Sequence, residues 1–220
     1  MISMAMAAEG NGSRRLLIVF LLNTILFGAL ASGDAASFNF SNACAHPVWV
    51  GALNGATSPP LSRTGFYLAS GATSSLAAPS SGAWSGNFWA RTGCATEASL
   101  RRPLVDGFNV PLRIAPSNEG CHAAACAGDV NAVCPTDLRV ISASGDGAVV
   151  AYKSACNAYG SARYCCSGDY GTPAGCGPTN YSHVFKSACP AAYSYAYDDA
   201  SSTFTCSGAA VYDVTFCPAT

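Results

Sequence analysis

The sequence predicts a mainly β fold: a strand-rich body carrying a helical, disulfide-dense lobe between Cys126 and Cys189. Three observations predict it. Several stretches alternate apolar and polar residues with period two, the pattern of half-buried strands. Gly, Ser, Thr and aromatic residues are plentiful, while long aliphatic helical runs are absent. Five of the twelve cysteines (Cys156, Cys165, Cys166, Cys176 and Cys189) crowd into residues 155–190 among Gly, Pro, Ser and Asn. That stretch has too little aliphatic material for a core of its own, so its rigidity has to come from covalent crosslinks.

The first 36 residues read as a leader. Arg14 and Arg15 precede an apolar run from Leu16 to Ala31 that only Asn23 and Thr24 interrupt, and small residues follow. This is the layout of a secretory signal peptide cleaved between Ala31 and Ser37. An uncleaved anchor is the alternative, although the run is near the lower limit for spanning a bilayer. Removing 1–36 leaves nine basic against ten acidic side chains. The whole chain has 220 residues, 10% of them charged, and a formal net charge of −1, so it offers no basic field to nucleic acid. Export through an oxidising compartment makes disulfides the expected fate of the cysteines.

In chain order, Phe38-Asn39-Phe40-Ser41 alternates, and Val48-Trp49-Val50 follows as a second strand. Asn54-Gly55 predicts a tight hairpin turn, because both residues tolerate positive φ. Asn87 to Arg91 alternates again. Leu112 and Ile114 alternate with Arg113 and Ala115, and Leu138 and Val140 with Asp137 and Arg139. Near the C-terminus, Tyr212, Val214 and Phe216 share one face, with Asp213 and Thr215 on the other. Helical spacing joins Tyr152, Ala155, Cys156 and Tyr159, and a second helix is expected across Tyr181, Phe185, Ala188 and Cys189.

Several strings resemble the thaumatin-like family, the pathogenesis-related family 5 proteins of plants. They are WSGNFWARTGC (84–94), VDGFNVPLRIAP (105–116), the Cys165-Cys166 pair, YGTPAGCGPTNYSHVFKSACP (170–190), SYAYDDASSTFTC (194–206) and VTFCP (214–218). They occur in family order from Phe38 to Pro218. The resemblance implies a flattened β-sandwich, a helical second lobe, a small third lobe and a cleft between the first two. On this sequence it implies a leader at 1–36, a sandwich at 37–126 and 189–220, and a disulfide-rich helical lobe at 127–188.

Two departures from the family stand out. Only ATEASLRRPL (95–104) lies where the family has several dozen residues, including the third lobe and at least one sandwich strand. Tyr152 stands where the family's VVACKSAC pattern has cysteine. The resemblance implies the pairs Cys44–Cys217, Cys121–Cys206, Cys126–Cys189, Cys156–Cys165 and Cys166–Cys176. It leaves Cys94 and Cys134 without their family partners. The loss of a strand would expose ladder groups and an apolar sheet face, so lower stability than in full-length relatives is expected.

The family's cleft is acidic and is thought to engage polysaccharide, and some members hydrolyse β-1,3-glucan weakly. Glycoside hydrolysis normally needs two carboxyls, one to protonate the leaving oxygen and one as nucleophile or base. Asp106 and Asp198 match two acidic family positions, with Asp199 as the alternative register. The remaining acidic set falls in the shortened stretch, and no motif supports Glu97, Arg101 or Arg102 as substitutes. The bland readings stay beside these: Asp106 as a turn residue before Gly107, and Asp198-Asp199 as a loop or helix cap. Trp84, Trp89 and the Tyr193-Tyr195-Tyr197 run suit either sugar stacking or packing.

No cysteine and histidine spacing, His122 and His183 included, fits a metal site, and no cofactor is expected. Asn39 and Asn180 head glycosylation sequons. The sequence thus points to a secreted, monomeric antifungal defence protein that binds β-1,3-glucan or another fungal wall or membrane component without efficient catalysis. The alternatives are a weak endo-β-1,3-glucanase using Asp106 and Asp198, and an inhibitor of secreted hydrolases. Nothing but Pro-Ala-Thr follows Cys217, which favours the extracellular space over a vacuole.

Overall fold

The computed structural model describes residues 4–9, 36–55, 57–79, 84–92, 110–141, 146–147, 149–209 and 211–219. In chain order the strands are β1 (Met4–Glu9), β2 (Ser37–Asn42), β3 (Val48–Asn54), β4 (Gly65–Leu68), β5 (Thr73–Ala77), β6 (Trp84–Arg91), β7 (Leu112–Pro116), β8 (Ala124–Cys126), β9 (Arg139–Ile141), β10 (Val149–Tyr152), β11 (Thr203–Ser207) and β12 (Val211–Phe216). They form two five-stranded sheets, ordered β11-β1-β6-β3-β4 and β5-β2-β12-β7-β8, and the ribbon β10-β9. The chain is mainly β.

Alternation dictates which faces meet. In β2, Phe38 and Phe40 are buried and Asn39 is exposed; in β12, Tyr212, Val214 and Phe216 are buried and Asp213 is exposed. The two strands run parallel, with Tyr212 beside Phe38 and Val214 beside Phe40, so their apolar rows coincide. The second sheet meets that row with rings of its own. Phe38 lies 4.8 Å from the Trp84 ring and 4.9 Å from Phe88, and Phe40 packs edge-on to Phe88 and Phe66 at 5.2 Å. Burying each such side chain contributes on the order of 1.5–3 kcal/mol. The core of the body is therefore the aromatic layer between the sheets. Two glycines make room for it: a Cβ on Gly51 or Gly86 would stand 2.3 Å from the ring of Trp89 or Trp84, respectively.

The smaller helical elements are α1 (Val130–Val133), α2 (Ala155–Tyr159), α3 (Ala162–Cys165), α4 (Asn180–Ala188) and α5 (Asp199–Ser202). Local chemistry sets their ends. Asp129 accepts from the amides of Asn131 and Ala132 at the head of α1. Ser154 caps α2, which stops at Gly160 with a left-handed φ of 61°. Thr179 and Ser182 form a reciprocal capping box on α4. Ser154 starts α2 only after Tyr152, so the tyrosine belongs to β10 and not to the helix its spacing suggested. It is buried against Phe185, the two rings stacked at 4.6 Å.

Disulfides join Cys44–Cys217, Cys121–Cys206, Cys126–Cys189, Cys156–Cys165 and Cys166–Cys176. The first spans 173 residues and on the chain-entropy model is worth about 5 kcal/mol. Cys134 is a buried free thiol that donates to the Pro135 carbonyl, and burial pushes its pKa up. Cys94 lies outside the described residues.

The structure differs from the sequence expectation at particular elements. Asn54-Gly55 does not make a two-residue hairpin. The Asn54 amide donates to the carbonyls of Gly55 and Ser58, winding the chain into a longer connection before β4. Leu138 closes a 3-10 turn, and the strand beyond it is Arg139–Ile141. Met4–Glu9, inside the segment read as a leader, is a strand paired on both flanks.

Candidate functional site

Asp198 precedes α5 and is 9% exposed. Its Oδ2 accepts from the amide and hydroxyl of Ser194, each at 2.9 Å, and Oδ1 accepts from the Ser201 hydroxyl at 2.8 Å. The Lys186 ammonium, on α4, pairs with Oδ2 at 3.0 Å. Lys186 also donates to the Ala192 carbonyl at 3.0 Å and to the fully buried Ser202 at 2.7 Å. The carboxylate thus ties α4, the 192–198 segment and the start of β11 into one polar knot.

Burial alone would raise the Asp198 pKa. The Ser194 amide, Lys186 and the two serine hydroxyls outweigh it and hold the carboxyl below its ordinary value. A general acid in glycoside hydrolysis needs the opposite shift, so that it carries a proton near neutral pH. Asp198 is ionised and engaged on both oxygens, and nearly closed to solvent.

Its neighbour Asp199 is exposed and accepts from the Tyr193 hydroxyl at 2.7 Å. The same hydroxyl contacts Thr203. Burial, partly opposed by Thr203, together with the nearby carboxylates pushes the Tyr193 phenol up to about 12. Asp106 lies outside the described residues, as do Glu97, Arg101 and Arg102. The structure therefore assembles the Asp198 end of the expected acidic cleft and not a described carboxyl pair.

A second cluster was not foreseen in the sequence. Asp137, on the 3-10 turn before β9, accepts from the hydroxyls of both Tyr159 and Tyr181, and those hydroxyls lie 2.6 Å apart. Tyr164 completes the group, its ring 5.5 Å from each of the other two. The hydroxyl of Tyr159, then that of Tyr181, pulls the Asp137 pKa down, and the carboxylate in turn raises both phenols. Beside the rings lies an open groove lined by Arg163, Tyr164, Thr179, Asn180, Tyr181 and His183, with room of about 400 Å³. Its members are 22 to 44 residues apart in the chain, so no local motif announces it.

The remaining candidates have simpler placements. Trp84 and Trp89 are buried in the body, while Tyr193, Tyr195 and Tyr197 are half-buried. His46, His122 and His183 are exposed. Asn39 and Asn180 are exposed, with Asn39 hydrogen-bonded to Asp213 and Ser75 across the outer face of its sheet. Among the described residues no cluster of three or more His, Cys, Asp or Glu is placed to hold a metal. No helix among them is long and apolar enough to cross a membrane.

Comparison with known proteins agrees with this architecture. The model of the Thaumatin family matches residues 42–102 and 100–218. The two matched stretches meet inside ATEASLRRPL, where the sequence is shortened. Thaumatin-like protein 1a of Malus domestica is 41% identical over 237 positions, covering 88% of this chain and 94% of the relative. Pathogenesis-related thaumatin-like protein 3.5 of Cryptomeria japonica is 42% identical over 233 positions, with the same coverages. A Glucan endo-1,3-beta-glucosidase of Prunus avium is 39% identical over 245 positions, covering 90% and 96%. Each alignment is longer than the 220 residues of this chain, so part of each relative faces a gap here.

Proposed function

The chain belongs to the thaumatin family, and from that premise we propose a secreted plant defence protein that binds β-1,3-glucan or another fungal surface component without efficient hydrolysis. The observation that carries the non-catalytic part is Asp198. Both its oxygens are committed to Ser194, Ser201 and Lys186, and its pKa is lowered. A carboxyl in that state has no proton to give a leaving oxygen and no free lone pair aimed at a sugar carbon. The polar face left for a ligand is Asp199 with the Tyr193 hydroxyl, together with Asp106 where the cleft continues. Hydrogen bonds from sugar hydroxyls to such groups support binding without bond cleavage.

The opposing reading, a weak endo-β-1,3-glucanase with Asp106 and Asp198 as its pair, is favoured by the name of the Prunus avium relative. One pair of assays separates the two. Sedimentation of the purified protein with insoluble β-1,3-glucan should show retention, while laminarin incubated with it should release no reducing ends above the blank. Sustained laminarin turnover abolished by Asp106→Asn would sink the binding-only reading.

A further inference from the structure

The sheet that contains β6 has a gap in its interior, and the tip of the chain fills it. β1 pairs in parallel with β11, Ala5–Glu9 against Thr203–Ser207, and antiparallel with β6, Met4–Ala8 against Phe88–Trp84, five residue pairs on each flank. Among the described strands β11 has no other sheet neighbour. Without β1, β11 loses its ladder and β6 loses one of two, leaving two facing rows of backbone donors and acceptors.

The register fits the sequence of the segment. Met4, Met6 and Ala8 stand opposite the buried positions Phe88, Gly86 and Trp84 of β6, and Ala8 opposite buried Cys206 of β11. Ala5, Ala7 and Glu9 stand opposite Asn87, Ser85, Thr203, Thr205 and Ser207, none of them buried. A slip by one residue would bring the glutamate into register with the buried row, so the pattern selects a single register. The mixed pairing also selects polarity, because the inserted strand has to run with β11 and against β6.

The gap also has walls that stay in place without its occupant. Cys206 in β11 is bonded to Cys121, and the residues leading into β11 are held by the Lys186–Asp198 knot and by Ser202. β6 is held on its other side by six pairs with β3. Loss of β1 therefore empties a slot and leaves the strands around it tethered.

We propose that the space between β6 and β11 is a strand-binding site for a short extended peptide alternating apolar and small residues, and that its occupant is this chain's own Met4–Glu9. Cleavage between Ala31 and Ser37, the processing that the leader-like sequence predicts, severs that occupant from the body. Processing then controls whether the sheet is complete, and the vacated slot takes a strand by β-augmentation. The site does not depend on glucan binding.

The test uses the full chain with a site-specific protease sequence placed ahead of Ser37, cut after folding. Deuterium uptake is followed in Thr203–Ser207 and Trp84–Arg91. Once residues 1–36 are separated, the Thr203–Ser207 amides should exchange about tenfold or more faster. The peptide ISMAMAAEG, residues 2–10, should restore protection at one peptide per chain. The same peptide carrying Met6→Pro should not, since proline cannot donate to either ladder. Unchanged β11 exchange after separation overturns the proposal, and so does equal rescue by the proline peptide. A cut chain that dimerises with β11 protected and ignores the peptide also overturns it, because the slot then belongs to a second copy.

Discussion

Replacing Asp198 with asparagine keeps the size of the side chain and removes its charge. The amide can turn its oxygen toward the Ser194 amide and Lys186, and its NH2 toward Ser201, whose hydroxyl can accept. What is lost is charge assistance in the bonds from the Ser194 amide and hydroxyl, Ser201 and Lys186. Charge-assisted bonds are worth about 1.5–3 kcal/mol against about 0.5–1.5 kcal/mol for neutral ones. Removing one partner of a buried ion pair costs roughly 3–5 kcal/mol. Lys186 keeps Ala192 and Ser202 and its side chain is 24% exposed, so we place the net cost near 3 kcal/mol. In a chain of this size that lowers Tm by about 6–12 °C.

The pH profile sharpens this prediction. The Asp198 pKa is lower in the folded chain than in the unfolded one. The stability it contributes is therefore fully present above the unfolded value, about 3.9, and is lost as pH falls through the folded value. The gap in Tm between the native protein and Asp198→Asn should be constant from about pH 5 to 7 and should close below about pH 4. Differential scanning calorimetry across that range, with a laminarin assay on the same samples, reads both quantities. An Asn variant that melts like the native protein at pH 6 would refute the reasoning. If it also lost laminarin turnover, Asp198 would belong to the chemistry instead.

The other predictions concern the helical lobe. Tyr152→Ala removes a fully buried ring from its stack on Phe185 and should cost about 3–5 kcal/mol in urea unfolding. Asp137→Asn withdraws the carboxylate that holds up the phenols of Tyr159 and Tyr181. Spectrophotometric titration should then show these tyrosines ionising closer to the ordinary value of about 10, while an unchanged titration would mean that the hydroxyls do not meet at Asp137.

The body was legible in the sequence where a single physical rule acted alone. Phe38 and Phe40, and Tyr212, Val214 and Phe216, alternate because one face of each strand is core and the other is water. The mainly β class followed from those runs and from the family resemblance. Short strands such as Gly65–Leu68 and Ala124–Cys126 were missed, since three or four residues are too few to display a period. β1 was missed for another reason. Its Met-Ala-Met-Ala-Ala precedes a strongly apolar run, and the leader reading absorbed both.

The site was legible by residue type and not by state. The YAYDD string marked Asp198, but only the structure shows Lys186 and two serines closing around it. Asp137 was read as the polar partner in a strand. Its tyrosines arrive from α2 and α4, and contacts that far apart in the chain leave no trace in local spacing.

Cys44 and Cys217 have a mechanical consequence. The parallel neighbours β2 and β12 bring the two ends of the body side by side, and the disulfide bolts them together across 173 residues. A load applied at Ser37 and Ala219 would unpeel one short strand and then pass through the sulfur–sulfur bond. Everything enclosed by the bolt would carry no tension. A molecule anchored at both ends on a hypha or a wall would yield a few residues of slack and then hold.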